Sequence, residues 1–133
     1  DATLNAGGIR FGTSEIYRVV ENINNIIECV AVERNLYTDT EVVLFIKLHS
    51  SIKLDKNLIN VIRSEIRLNL SPKHVPSKIF EVSDIPKTKS GKIVELSIKN
   101  IINGLKIENK NALANPDCLI EYENIYNKLK KNL

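Results

Sequence analysis

Two apolar runs constrain this chain more than any other feature. Ile26 to Glu33 reads IIECVAVE, and Glu41 to Leu48 reads EVVLFIKL. Both are dense in β-branched residues and too short to be typical helices, so both are expected as strands. The polar segment Arg34 to Thr40 between them is short enough for an antiparallel pair. Helical patterns flank this pair. Ile16, Val19, Val20 and Ile23 fall at i, i+3, i+4 and i+7, one buried helical face. Thr13 or Ser14 can cap that helix, with Glu15 in its first turn. Asp55 is placed as the N-cap of a second helix bearing Leu58, Val61, Ile62 and Ile66, which Ser71-Pro72 ends. Val75-Pro76 holds the chain extended before a third strand, Lys78 to Val82.

Further along, Val94 to Ile102 is expected as a helix that stops at Asn103-Gly104. Lys106 to Asn111 is a polar connector. Asn115-Pro116 has the form of an N-cap with proline at the first helical position, opening a final helix with the stripe Leu119, Tyr122, Tyr126 and Leu129. Ahead of all this, Asn5 to Gly8 is a turn and Ile9 to Gly12 a short extended piece. The sum is an α+β fold: a small two-layer sandwich of a mainly antiparallel three-stranded sheet with helices, plus a short N-terminal hairpin or turn.

A length of 133 residues suits one domain or a piece of a larger enzyme, and 43% hydrophobic content supports a core. The net charge of +3 and the scattered aromatics (5%) lack the dense basic face of a nucleic-acid module. Cys29 and Cys118 form no metal-binding spacing, which points to no metal site and a reduced, cytoplasmic setting. No signal peptide or membrane-length apolar run is seen. Without a methionine anywhere, and opening on Asp1-Ala2-Thr3-Leu4, the chain reads as part of a longer one.

The stretch with the most chemical content is Pro86-Lys87-Thr88-Lys89-Ser90-Gly91-Lys92. Pro86 fixes the entry angle, Gly91 permits a sharp turn, and the lysines stay exposed. Lys92 then offers a mobile point charge with three N–H donors to an anionic oxygen. Taken alone, the loop reads first as a solvated lysine-rich hairpin. His49 and His74 have no nucleophile or carboxylate at a recognisable spacing and are expected as polar surface or strand-edge residues.

Three segments, in order and at matching spacing, resemble the C-terminal domain of the adenylate-forming acyl-CoA synthetases. The first is Asp1 to Ile16, similar to that family's hinge running into a G-x-R-x-G-x-x-E-I turn and helix. The second is Leu70 to Lys78. The third is Ile85 to Lys92, which looks like the family's P-K-T-x-S-G-K motif. Within the family, the acetoacetyl-CoA synthetase group is the best match in the Asn5 to Gly12 turn, the Ser71 to Pro76 segment and the tail from Ala112 to Asp117.

The resemblance implies an acid–thiol ligase that works in two steps: a carboxylate and ATP give an acyl-adenylate, then coenzyme A displaces AMP. It implies residues 1–105 as a lid domain and 106–133 as a helical extension packed on it. Lys92 would be the adenylating cation and Asp1 the hinge. Gly7 and Gly8 would line the pantetheine channel, and Arg10 and Arg63 would face nucleotide or coenzyme phosphates. ATP, with magnesium, would be held mainly by the protein's own N-terminal adenylation domain, which would also hold the small carboxylic acid. An acetyl-CoA or propionyl-CoA synthetase lid, or a self-standing nucleotide or coenzyme A module, are the alternatives. No nucleic-acid or membrane partner is expected.

Overall fold

The computed structural model describes residues 3–6 and 8–131. A hairpin of β1 (Thr3–Ala6) and β2 (Ile9–Gly12) leads into α1 (Thr13–Val20). β3 (Ile26–Asn35) and β4 (Thr40–Leu48) follow, then α2 (Lys56–Asn69) and β5 (Lys78–Glu81). The chain closes with α3 (Glu95–Ile102) and α4 (Leu119–Lys130), the latter entered through a single 3-10 turn at Pro116–Cys118. The main sheet has the order β3-β4-β5. Its long ladder, β3 with β4, is antiparallel from Ile26↔Leu48 to Asn35↔Thr40. β5 joins β4 in parallel over four residue pairs, from Val43↔Lys78 to Ile46↔Glu81, because α2 carries the chain back to the starting end.

The expected α+β make-up, with a mainly antiparallel three-stranded sheet and an N-terminal hairpin, is present. Helices cover both faces of that sheet, which adds a layer. Cys29, Ala31, Leu44 and Ile46 point to the side of α1 and α2, where Ile16, Val20, Ile62 and Ile66 are fully buried. Val30, Val32, Val43 and Phe45 point the other way, to Ile98, Ile102, Leu119 and Tyr122 of α3 and α4. The unbroken apolar runs are what such a doubly covered sheet requires, since neither face meets water.

The caps follow the local chemistry in part. Asp55 accepts from Leu58 N at 2.8 Å and starts α2. At α1 the cap position is Gly12, with no side-chain bond, and Thr13 is already helical and buried. α3 ends as expected. Gly104, at φ +77°, donates to the Ile101 carbonyl, and Leu105 N donates to Asn100 O at 2.8 Å, satisfying two terminal carbonyls. The last helix buries Leu119, Tyr122, Ile125 and Leu129, with Tyr126 half-buried beside them. Arg34, almost wholly buried, ties three elements together: it pairs with Glu41 on β4 and donates to the Leu129 carbonyl at the end of α4.

Candidate functional site

The lysine loop is a short, well-bonded arch. Val94 N donates to Pro86 O at 2.9 Å and Thr88 N to Lys92 O at 2.8 Å, closing the two arms of the turn. Lys92 N donates to Thr88 Oγ1 at 3.1 Å, and Thr88 Oγ1 lies 2.9 Å from Ser90 Oγ. Gly91 takes φ +93° at the bend. These bonds close the two arms of the loop on each other and leave the lysine ammonium groups clear of the turn.

The lysines of the loop are not equivalent. Lys87 Nζ is held 2.7 Å from Glu28 Oε1 on β3, a partly buried ion pair. Lys89 and Lys92 are exposed. Lys92 stands at the rim of a cleft of about 540 Å³ that also includes Leu4, Glu33, Glu95 and Lys99. The carboxylates there are already engaged among the described residues. Glu33 Oε1 accepts from Asn5 N at 2.7 Å, and Glu95 accepts from the Tyr17 hydroxyl. Tyr17 in turn accepts from Ala31 N at 3.0 Å, and burial pushes its phenol far above the ordinary range, so it stays a neutral donor. Lys92 Nζ has no hydrogen-bond or ion-pair partner among the described residues. An uncommitted ammonium on a rigid arch is suited to meet a phosphate oxygen arriving from outside.

What holds the arch came from an unexpected direction. Asn115, expected as a helix cap, makes no cap bond. Its amide reaches the lysine loop instead, accepting from Lys87 N at 2.9 Å and donating to Asp84 Oδ2 and Ile85 O, both at 2.8 Å. Burial alone would raise the Asp84 carboxyl, but the bonds from Asn115 and from Lys47 outweigh it and hold it below the usual range. The buried Tyr122 hydroxyl donates to Asp84 O at 2.7 Å.

The other sequence candidates lie elsewhere. Gly8 occupies the exposed tip of the β1–β2 turn at φ +83°, and Arg10 is exposed on β2 with Nε 3.5 Å from Asn5 Oδ1. Arg63 projects from α2, donates to Ser77 O at 3.1 Å, and lines a separate cleft of about 400 Å³ with Arg67. The clefts at Lys92 and Arg63 share no lining residue. Asp1, expected as the hinge, and Gly7 lie outside the described residues.

His49 is exposed as expected, while His74 is only partly exposed and fully engaged. Its ring packs 4.1 Å from Phe11, while Nε2 meets Glu15 Oε2 and Nδ1 meets Ser71 Oγ, each at 2.7 Å. Phe11 is buried at the base of the hairpin, and a flat partner there covers it better than water does. Among the described residues, no group of three or more His, Cys, Asp or Glu side chains converges, and no helix is long and apolar enough to cross a membrane.

No family model matches the chain. It is 47% identical over 119 residues to an acetoacetyl-coenzyme A synthetase of Rhizobium meliloti (strain 1021), covering 90% of the chain and 18% of that relative. The acetoacetyl-CoA synthetase of Caenorhabditis elegans is 44% identical over 121 residues, with 90% of the chain and 17% of the relative covered. In structure the chain resembles an acetoacetyl-CoA synthetase from Streptomyces lividans, with a TM-score of 0.84 and 34% identity over 96% of this chain and 19% of that one. A Brucella canis acyl-CoA synthetase shares the fold at a TM-score of 0.65, with 23% identity over 70% of this chain and 17% of that one. The chain thus spans less than a fifth of the length of the relatives it matches.

Proposed function

Since the chain belongs to the adenylate-forming acyl-CoA synthetase family, we propose that it is the C-terminal lid of an acid–thiol ligase that joins acetoacetate to coenzyme A. The observation that carries this reading is Lys92: an exposed ammonium with no hydrogen-bond or ion-pair partner among the described residues, on an arch closed by backbone bonds between its two arms. Residues 1–105 act as the lid and 106–133 as its extension. ATP, its magnesium ion and the acid are held mainly by the adenylation domain of the same protein, in a cytoplasmic setting.

In the first step a carboxylate oxygen attacks the α-phosphorus of ATP and diphosphate leaves. Two anions must approach, so a cation on the α-phosphate side lowers the barrier, and Lys92 supplies it. In the second step the coenzyme A thiolate attacks the acyl carbonyl, and AMP leaves with the bonding electrons. Lys92 has no part there. The lid turns about Asp1 and presents the hairpin, with Gly7 and Gly8 along the pantetheine arm and Arg10 and Arg63 toward the phosphates. The separation of the Lys92 cleft from the Arg63 cleft supports two working faces on one body.

The test is Lys92→Ala in the full-length protein. Diphosphate release with acetoacetate should fall by about 10²–10³-fold, while thioester formation from supplied acyl-adenylate and coenzyme A continues. Equal loss of both half-reactions would remove the role given to Lys92. Running acetoacetate beside acetate, propionate and butyrate tests the acid, and a preference for any of the last three would replace acetoacetate in the assignment.

A further inference from the structure

The bonds that fix the lysine arch come from a segment far along the chain, between Leu113 and Tyr122. Thr88 bridges to Leu113 in antiparallel fashion, and Ala114 N donates to Lys87 O at 2.9 Å. Asn115 uses its whole amide. Oδ1 takes the Lys87 N–H, and the two Nδ2 hydrogens go to Asp84 Oδ2 and Ile85 O. Only an amide offers one acceptor and two donors from a single short side chain. Lys92 is two links away: Asn115 and Ala114 clamp Lys87, and the adjoining Thr88 bonds both the N–H and the carbonyl of Lys92.

We infer that Asn115 is a positioning residue for Lys92, and that the tail segment is a strut setting where the adenylating cation sits. The inference rests on the reading of Lys92 above. A strut is needed because a lysine has four rotatable carbons and a strongly hydrated head, so only its backbone origin can be fixed in advance. Displacing that origin by an ångström takes the ammonium out of line with the phosphate, which is worth up to about a hundredfold in rate. Tyr122, buried and bonded to the Asp84 carbonyl, keeps the far side of the same clamp from moving.

The experiment uses the full-length enzyme and measures diphosphate release and thioester formation from supplied acyl-adenylate separately. Asn115→Ala should lower the first by roughly ten- to a hundredfold in kcat, with the KM for ATP little changed, and leave the second intact. In a Lys92→Ala background the same change should cost nothing more, because the group it positions is gone. Asn115→Asp sets a carboxylate against Asp84 and should be worse than Asn115→Ala. Pairing it with Asp84→Asn reverses the hydrogen bond and should recover much of the loss. Equal loss in both half-reactions, full additivity with Lys92→Ala, or no loss at all would overturn the strut. Lys92→Ala alone keeps the two ideas apart: if it adenylates normally, the role of Lys92 falls and the strut with it. If it does not, yet Asn115→Ala does, only the strut falls. Should Asn115→Ala fail to fold, Tyr122→Phe decides, since it removes a single hydroxyl bond and leaves the ring in the core. A Tyr122→Phe enzyme with adenylation intact then overturns the proposal.

Discussion

Gly8 offers a way to separate the needs of the fold from those of the chemistry. Ala6 pairs with Ile9, and Gly8 lies in the turn between them at φ +83°. An L side chain held there costs about 1–2 kcal/mol. Against this, losing a glycine reduces the freedom of the unfolded chain, worth about 0.4–1 kcal/mol in the other direction. A Cβ at Gly8 would meet nothing within 4 Å, so no steric cost is added inside this chain. The net loss is roughly 0–1.6 kcal/mol, or at most about 6 °C in Tm for a domain of this size. Gly8→Leu should cost the fold about as much as Gly8→Ala, because Gly8 is exposed and the backbone strain is common to both.

In the enzyme the two should part. If Gly8 walls the pantetheine channel in the proposed thioester-forming arrangement, leucine fills the channel and alanine barely enters it. Diphosphate release should persist in both variants, while thioester formation survives in Gly8→Ala and collapses in Gly8→Leu. Thermal unfolding and the two half-reactions, measured on the same preparations, check both halves. The reasoning fails if leucine and alanine lose thioester formation equally, or if adenylation drops alongside it. Gly8 would then be a structural turn and nothing more.

The remaining expectations concern stability. Gly104→Ala meets the same backbone strain as Gly8→Ala, and its Cβ would also lie 2.7 Å from the Tyr126 hydroxyl. It should therefore cost roughly 2–3 kcal/mol in a denaturant melt, with part recovered by adding Tyr126→Phe, and a loss no larger than that of Gly8→Ala would refute the clash. Burial alone would raise the Glu41 carboxyl, yet bonds from Lys78, Ser77 and Arg34 outweigh it and hold it below the usual range, as Asn115 and Lys47 do for Asp84. Because the folded values lie below the unfolded ones, near 4, this stabilisation is complete above the unfolded values and is lost as the pH falls through the folded ones. Glu41→Gln should flatten the acid side of a stability-against-pH curve, and an unchanged slope would refute it.

Much of this was legible in the sequence because local chemistry decided it. The strands at Ile26 and Thr40 begin and end within two residues of where the apolar runs do, and Asp55 and Gly104 act through neighbours three to five residues away. The second helical layer was also written there, in runs that never alternate, although a two-layer packing was expected. The stripe of the last helix was read through Tyr126, while Ile125 is the more buried side chain, since a helical face is broad enough to admit either. Asn115 was not legible. Its partners lie 28 to 31 residues back, and an Asn-Pro pair has a sufficient local explanation as a cap. His74 was missed for the same reason, with Glu15 lying 59 residues earlier.

One strand connects the parts that the proposed lid would have to keep in register as it turns. Glu28 of β3 holds Lys87 of the arch, Ala31 bonds Tyr17 of α1, and Glu33 receives Asn5 of the hairpin. Asn103 at the end of α3 bonds the Glu33 carbonyl at 3.0 Å and accepts from Asn35 N at 2.7 Å. The backbone of β3 is itself locked between β4 and two helical layers, and Val30, Ala31 and Cys29 are fully buried. Each of these bonds alone contributes only about 1 kcal/mol, too little to explain a fold. Their effect is geometric: the arch and the hairpin are both referenced to one rigid strand, so neither shifts without the other. In an alternation between two reactions that is the useful property. Under the proposed mechanism, a body presenting Lys92 in one orientation and the Gly8 hairpin in the next would have to turn as a unit, and slack between its two faces would blur both.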